Sequence, residues 1–159
     1  MEASLLTEMK HTPKAIARLA VAEIRAKLRS SNTARQFGFV LAEAEPGRVV
    51  LRMRVDKRHM QVHGVVHGGV LAALADTAGG LATYLSLPRV RRVATIEMKI
   101  NYLESVEGGT VEAEARLIRR GRHVAVVDCD IRDHNRRLIG KALMTFFVGP
   151  FREKRKSRN

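Results

Sequence analysis

His67-Gly68-Gly69 and, nine positions after the histidine, Asp76 are the residues whose types and spacing suit catalysis. Between Val65 and Leu85 polar side chains are sparse, and the apolar ones fall nearly all round a helix, the pattern of a buried helix rather than a surface one. A carboxylate in such a helix is rare without a partner or a task. Poorly solvated there, Asp76 would gain basicity, which suits attack on a carbonyl carbon or activation of a water. The helix start offers the complementary group. The Gly68 N–H has no intrahelical acceptor and carries the positive end of the helix dipole, where an oxyanion is stabilised. Glycine at 68 and at Gly69 keeps Cβ atoms out of a substrate's approach.

Asp76 and Gly68 are eight residues apart, about 12 Å along a helix at about 1.5 Å per residue. An attacking carboxylate must lie about 3 Å from a carbonyl carbon, and the oxyanion donor about 3 Å from its oxygen. One helix cannot supply both. Two copies packed antiparallel can, so a catalytic motif of this spacing requires at least a homodimer with two sites at its interface. Plainer roles compete with these. His67 would serve as a helix cap, and Asp76 as an acid bonded to a hydroxyl such as Thr77. Gly79-Gly80 costs about 1 kcal/mol per residue in helix propensity; it marks close approach of a partner helix or a substrate arm, or else a bend. His59, His63 and His67 recur at every fourth position, yet Gly64 interrupts any helix there and no H-E-x-x-H pattern accompanies them, so no metal is expected.

The elements around this stretch follow from hydrophobic period. Residues 13–29 form an amphipathic helix with Ile16, Leu19, Ala20, Ile24 and Leu28 at helical spacing, capped at Thr12-Pro13 and broken by Ser30-Ser31-Asn32. Its fate is to pack across a sheet edge. From Phe37 the period becomes two. Strands are expected over 37–44 and 48–55 around the turn Glu45-Pro46-Gly47, then a polar loop over 56–64 that carries His59 and His63. The long helix ends at Pro88. Four further strands follow over 92–103, 110–119, 122–132 and 138–149. The first of these sets Ile96, Met98, Ile100 and Tyr102 on one face and Thr95, Glu97, Lys99 and Asn101 on the other. Gly121 supplies a positive φ to the hairpin at Arg119-Arg120-Gly121-Arg122, and Asp133-His134-Asn135 makes the next turn. About six strands and one apolar helix give an α+β domain whose antiparallel sheet curls around that helix, because a sheet must cover one face.

With 159 residues, five Phe, two Tyr and no Trp, the chain has length for one domain with a mostly aliphatic core. Residues 1–33 read as a helical segment that packs on a domain spanning 34–150, with a basic, solvated tail over 151–159. Cys129 lies in an alternating apolar run and reads as a buried small residue. No signal-peptide layout is present, and Asp76 with its neighbouring glycines argues against a membrane span, so the expected location is cytoplasmic. Of the net charge of +13, residues 152–158 contribute +4, leaving +9 on the body. No helix-turn-helix, zinc spacing or aromatic-rich strand accompanies that charge, which argues against nucleic acid and for a polyanionic small molecule.

His67-Gly68-Gly69, Leu74-Ala75-Asp76 and the stretch Thr95 to Leu103 together resemble the hotdog-fold thioesterases, in particular the phenylacetyl-CoA and para-hydroxybenzoyl-CoA subfamily. The likeness runs from about Phe37 to Val148. It implies hydrolysis of an aromatic or medium-chain acyl-CoA in a homodimer, or a tetramer of such dimers, with no cofactor beyond the CoA thioester itself. It implies that Gln61, six positions before His67, holds the thioester or the water, that Thr95 orients the water, and that His67 hydrogen-bonds near the thioester. It implies CoA phosphate contacts from basic groups such as Lys99, Arg119, Arg120 and Arg122. A non-catalytic acyl-CoA-binding or sensing protein on the same scaffold is the alternative; a hotdog dehydratase fits less well, since its second acidic motif is missing.

Overall fold

The computed structural model describes residues 13–87 and 92–150; the cap at Thr12, the stop at Pro88 and the basic tail lie outside the described residues. Period-two patterning forms six strands: β1 (Phe39–Glu45), β2 (Arg48–Arg54), β3 (Arg92–Tyr102), β4 (Thr110–Arg120), β5 (Val124–Asp133) and β6 (Leu138–Gly149). All neighbours are antiparallel, in the order β1-β2-β4-β5-β6-β3. Three helices accompany them: α1 (Pro13–Ser30), α2 (Asn32–Phe37) and α3 (Gly68–Leu85). The sheet curls around α3, which contacts all six strands. This is the expected α+β hotdog architecture.

Turn chemistry sets the register. Pro46 and Gly47 link β1 to β2, with Gly47 at φ 79°, as a turn with proline first and glycine second requires. The Gly121 expectation does not hold: Gly121 is not in the left-handed region, and the β4–β5 hairpin closes instead by its N–H donating to the Val124 carbonyl at 2.7 Å. The β5–β6 turn hangs on Asp133, whose Oδ1 accepts from the backbone N–H groups of Asn135 and Arg137 and whose Oδ2 accepts from Arg137 Nε.

Two local elements depart from expectation. Ser31, read as a breaker, instead caps α2: its Oγ accepts from the Ala34 N–H, and Gly38 ends that helix at φ 68°. His59, expected in a polar loop, is fully buried at the end of a single 3₁₀ turn, Lys57–His59. Its Nδ1 accepts from the Asp56 N–H at 2.9 Å, so Nε2 carries the proton and donates to the Phe37 carbonyl at 3.0 Å. Both nitrogens are therefore spent on structure. On α1, Ile24 and Leu28 are buried against the sheet edge at β1, but Leu19 stays 65% exposed.

The core is aliphatic and continuous, from Leu51 and Met53 through Leu74 and Ala78 to Ile131 and Met144. Cys129 lies within it, and burial, with the Asp128 and Asp130 carboxylates on either side, pushes its thiol well above the ordinary range. A thiol reagent at pH 8 should therefore leave the folded protein unmodified and titrate one thiol in denaturant. Thr83 on α3 is buried with its hydroxyl unpartnered among the described residues. Thr83→Val removes that desolvated group at nearly constant volume and should raise stability by about 1 kcal/mol, read from chemical denaturation.

Candidate active site

One face of α3, carrying Val70, Leu71, Leu74, Ala75, Ala78, Gly79 and Ala82, is buried on the sheet. The expectation of a helix covered all round is corrected here. Ala72, Ala73, Asp76, Thr77, Gly80, Leu81 and Tyr84 form a second stripe that this chain leaves half-covered. Gly79 belongs to the sheet side: a Cβ there would come within 2.7 Å of Met144 and 3.0 Å of the Phe146 ring. The glycine therefore lets the helix approach its own β6, rather than a partner. Asp76 belongs to the open stripe and lines a cavity of about 480 Å³ with Thr95, Gly80, Leu81, Tyr84 and Lys27.

Thr95 reaches Asp76 because of a β-bulge. The β3–β6 register shifts between Thr95 and Glu97, leaving Ile96 as an extra residue, 56% exposed. Before the bulge Thr95 pairs with the buried Phe146; after it Met98 pairs with the buried Met144. Both therefore face α3. Strict alternation had placed Thr95 with Glu97 and Lys99 and Ile96 with Met98, and the bulge reverses both assignments. Glu97 is left on the outer face, where it accepts from Thr145 Oγ1. Thr95 Oγ1 donates to Asp76 Oδ1 at 2.7 Å and so fixes the carboxylate's orientation. Thr77, named as the structural rival, donates instead to the Ala73 carbonyl.

The helix start is built separately. His67 is the N-cap of α3, and its Nδ1 accepts the Gly69 N–H at 2.8 Å, which leaves Nε2 as the ring's outward donor. The Gly69 N–H is thereby used internally. No acceptor among the described residues takes the Gly68 N–H. The glycines make room for intramolecular neighbours and not only for a ligand: Tyr102 Oη donates to the Gly68 carbonyl at 2.9 Å, and a Cβ at 68 would meet its ring at 2.9 Å. Gln61 sits on the loop before the helix, with its N–H on the Val65 carbonyl and its Oε1 accepting weakly from the His63 N–H. Gln61, His67 and Gly68 thus gather at one end of α3, and Asp76 with Thr95 two turns further along. A single chain does not unite them.

The basic candidates fall elsewhere. Lys99 lies on the outer face of β3, paired with the exposed Leu143. Arg119 and Arg122 are exposed at the β4–β5 hairpin. Arg120 there donates to the Ser86 carbonyl at 3.0 Å, a cation at the C-terminal end of α3. Sequence reasoning missed Tyr102, Tyr84 and Lys27 as neighbours of the site. The spacing of Tyr84, eight residues after Asp76 on one helix face, was the available signal for one of them.

The thioesterase superfamily profile matches residues 63–140. A Saccharolobus solfataricus protein named as an esterase is 32% identical over 130 residues, covering 82% of this chain and 86% of its own length. The 1,4-dihydroxy-2-naphthoyl-CoA hydrolase of Listeria monocytogenes is 29% identical, over 64% of this chain and 83% of that enzyme. The crystal structure of a Haemophilus influenzae thioesterase superposes with a TM-score of 0.78 at 32% identity, covering 84% of this chain and 93% of the other. The curled sheet, the His67-Gly68-Gly69 helix start and these similarities together place the chain in the thioesterase superfamily, as a thioester hydrolase.

Proposed function

We propose that the protein hydrolyses an aromatic or medium-chain acyl-CoA to the free acid and CoA-SH, at two equivalent sites on a homodimer interface. The Thr95–Asp76 hydrogen bond at the cavity wall carries this reading. It holds one carboxylate oxygen, leaving the other to attack the thioester carbon or to take a proton from water. In either route the carbonyl becomes an oxyanion, received by the Gly68 N–H of a second copy, and the C–S bond breaks to release a thiolate. Water adds to the thioester carbon itself in the base route and to the acyl–Asp76 anhydride in the covalent one, which frees the acid and regenerates the carboxylate. The water's proton converts the thiolate to CoA-SH. Gln61 and His67 would enter the site from that same second copy.

Two surfaces support the pairing. The half-covered stripe of α3 carries the small residues Ala72 and Ala73 beside the cavity, which suits a second helix at close range. Among the described residues β3 pairs only with β6, so an eleven-residue strand presents a free edge. Thiol release from aryl, medium-chain and long-chain acyl-CoAs, with the mass measured in solution, tests the reading. Binding of CoA esters without turnover, or an active monomer, would overturn it.

Thr95 acts through Asp76, as a positioning residue. Thr95→Val should lower kcat by about ten- to a hundredfold with little change in KM, and Thr95→Ser should restore most of it.

A further inference from the structure

The cavity beside Asp76 has two unlike ends. Along α3 it follows Asp76, Thr77, Gly80, Leu81 and Tyr84, one helical stripe about 12 Å long at about 1.5 Å per residue. Its middle is apolar, with Leu28, Leu81 and Phe146 among its walls. At the far end Lys27 of α1 lies with its Nζ 3.9 Å from the centroid of the Tyr84 ring. Arg92, the first residue of β3, lines the same cavity three residues before Thr95, about 10 Å away along the strand at about 3.3 Å per residue. Because β3 follows α3 after a short connection, the start of the strand and the end of the helix lie at the same end of the cavity. Lys27 therefore sits opposite the reacting carboxylate, while Arg92, opposite Gly149 in the outward phase of β3, borders the cavity at its rim.

Neither cation makes a salt bridge among the described residues. The acid nearest in sequence, Glu23, one turn before Lys27, accepts a hydrogen bond from the Tyr84 hydroxyl instead. Burial and that carboxylate push the Tyr84 phenol up to about 12, so Tyr84 stays a neutral donor to Glu23 at working pH. Asp76 is the one acid among the described residues that line the cavity, and it is spent on Thr95 and the reaction. Among the described residues, then, no carboxylate forms a salt bridge with Lys27 at the far end, the Glu23 carboxylate beside it being engaged by the Tyr84 hydroxyl.

We propose that Lys27 receives an anionic acyl terminus, so that the preferred substrate is the monothioester of a dicarboxylic acid. The thioester lies at Asp76 and the free carboxylate at Lys27. This rests on the reading of Asp76 as the hydrolytic carboxylate. Allowing about 3 Å of contact at each end, the span holds an acyl chain of about six carbons at about 1.2 Å per bond. The ion pair forms in a partly apolar cavity, where a charge-assisted hydrogen bond is stronger than in water. It also explains a role for α1: the helix supplies a wall and a charge that the sheet and α3 do not.

The test compares kcat/KM for adipoyl-CoA and hexanoyl-CoA in the wild type, Lys27→Met and Lys27→Glu. Methionine keeps a flexible stem over the Tyr84 ring, which guards against a folding defect. The wild type should favour the carboxylated ester at least tenfold, and Lys27→Met should lower that ratio about tenfold, with Lys27→Glu lowering it further. A wild-type preference for hexanoyl-CoA, or a ratio unchanged in both variants, would overturn the proposal while thiol release dependent on Asp76 leaves the hydrolase reading intact. A KM raised equally for both CoA esters, but not for the matching pantetheine thioesters, would overturn it by placing Lys27 on the CoA phosphates. No thiol release from any ester in the wild type would overturn both readings together.

Discussion

Asp76→Asn is expected to lower kcat for acyl-CoA hydrolysis by about 10³- to 10⁴-fold, with KM changed little. The amide is nearly isosteric, and its oxygen still accepts from Thr95 Oγ1, so the 2.7 Å contact that orients the side chain is retained. What is lost is the charge that attacks the thioester or takes the proton of a water. Thermal unfolding should shift only slightly, because Asp76 lies on the open stripe of the helix and not on the face packed against the sheet. Equal turnover by the variant would make Asp76 a structural acid. Thiol release with time, beside a binding measurement for the CoA ester, separates the two cases.

The second large effect concerns the division of the site between chains. Gly68→Pro deletes the proposed oxyanion donor at the first helical position, where proline's fixed φ is tolerated; the Tyr102 ring, which is exposed, must shift slightly to admit it. Alone, this variant should lose about 10²- to 10³-fold in kcat. Mixed with Asp76→Asn by co-expression, two nearly inactive chains should recover activity. In the mixed dimer one site receives both substitutions, and the other receives the intact Asp76 of one chain and the intact Gly68 of its partner. Random pairing then restores about a quarter of wild-type turnover, as follows from the symmetry of an isologous interface. A site contained within one chain predicts no recovery at all.

Much of the fold was legible because strands speak in alternation. The span expected for the last strand, 138–149, is the observed one; three others differ by one residue at one end, and the first and fifth by one or two residues at both ends. The resemblance carried the hotdog topology. The helix stretch was legible too, through His67, Gly68 and Asp76. What escaped were features in which one side chain does two jobs or one residue breaks a period. Ser31 looks like a breaker because serine competes for backbone hydrogen bonds, yet the same competition makes it the cap of α2. His59 looked exposed among Asp56, Lys57 and Arg58, but a reciprocal cap with Asp56 folds it inward. Gly79 looked like an interface glycine, and only the position of Met144 and Phe146 reveals which surface it accommodates. The pairing of α1 with Tyr84 joins residues 61 apart in the chain and leaves no local pattern to read.

The extra residue at Ile96 has a further consequence, for the kinds of change this site tolerates. A strand counts in twos, so a substitution anywhere between Arg92 and Tyr102 alters one contact, whereas ironing out the bulge at full chain length alters the phase of everything before it. With β6 holding the later half of β3 in place, a regular strand of full length would set Ile96 opposite Phe146, turn Thr95 to the outer face and leave Asp76 without its hydroxyl, whereas deletion of Ile96 keeps Thr95 opposite Phe146. The composition of the strand and its cross-strand partners would be almost unchanged. The bulge is therefore as much a part of the site as the carboxylate itself, and a single-codon deletion of Ile96, which regularises the strand without changing its phase, should leave a folded enzyme that keeps the Thr95–Asp76 contact.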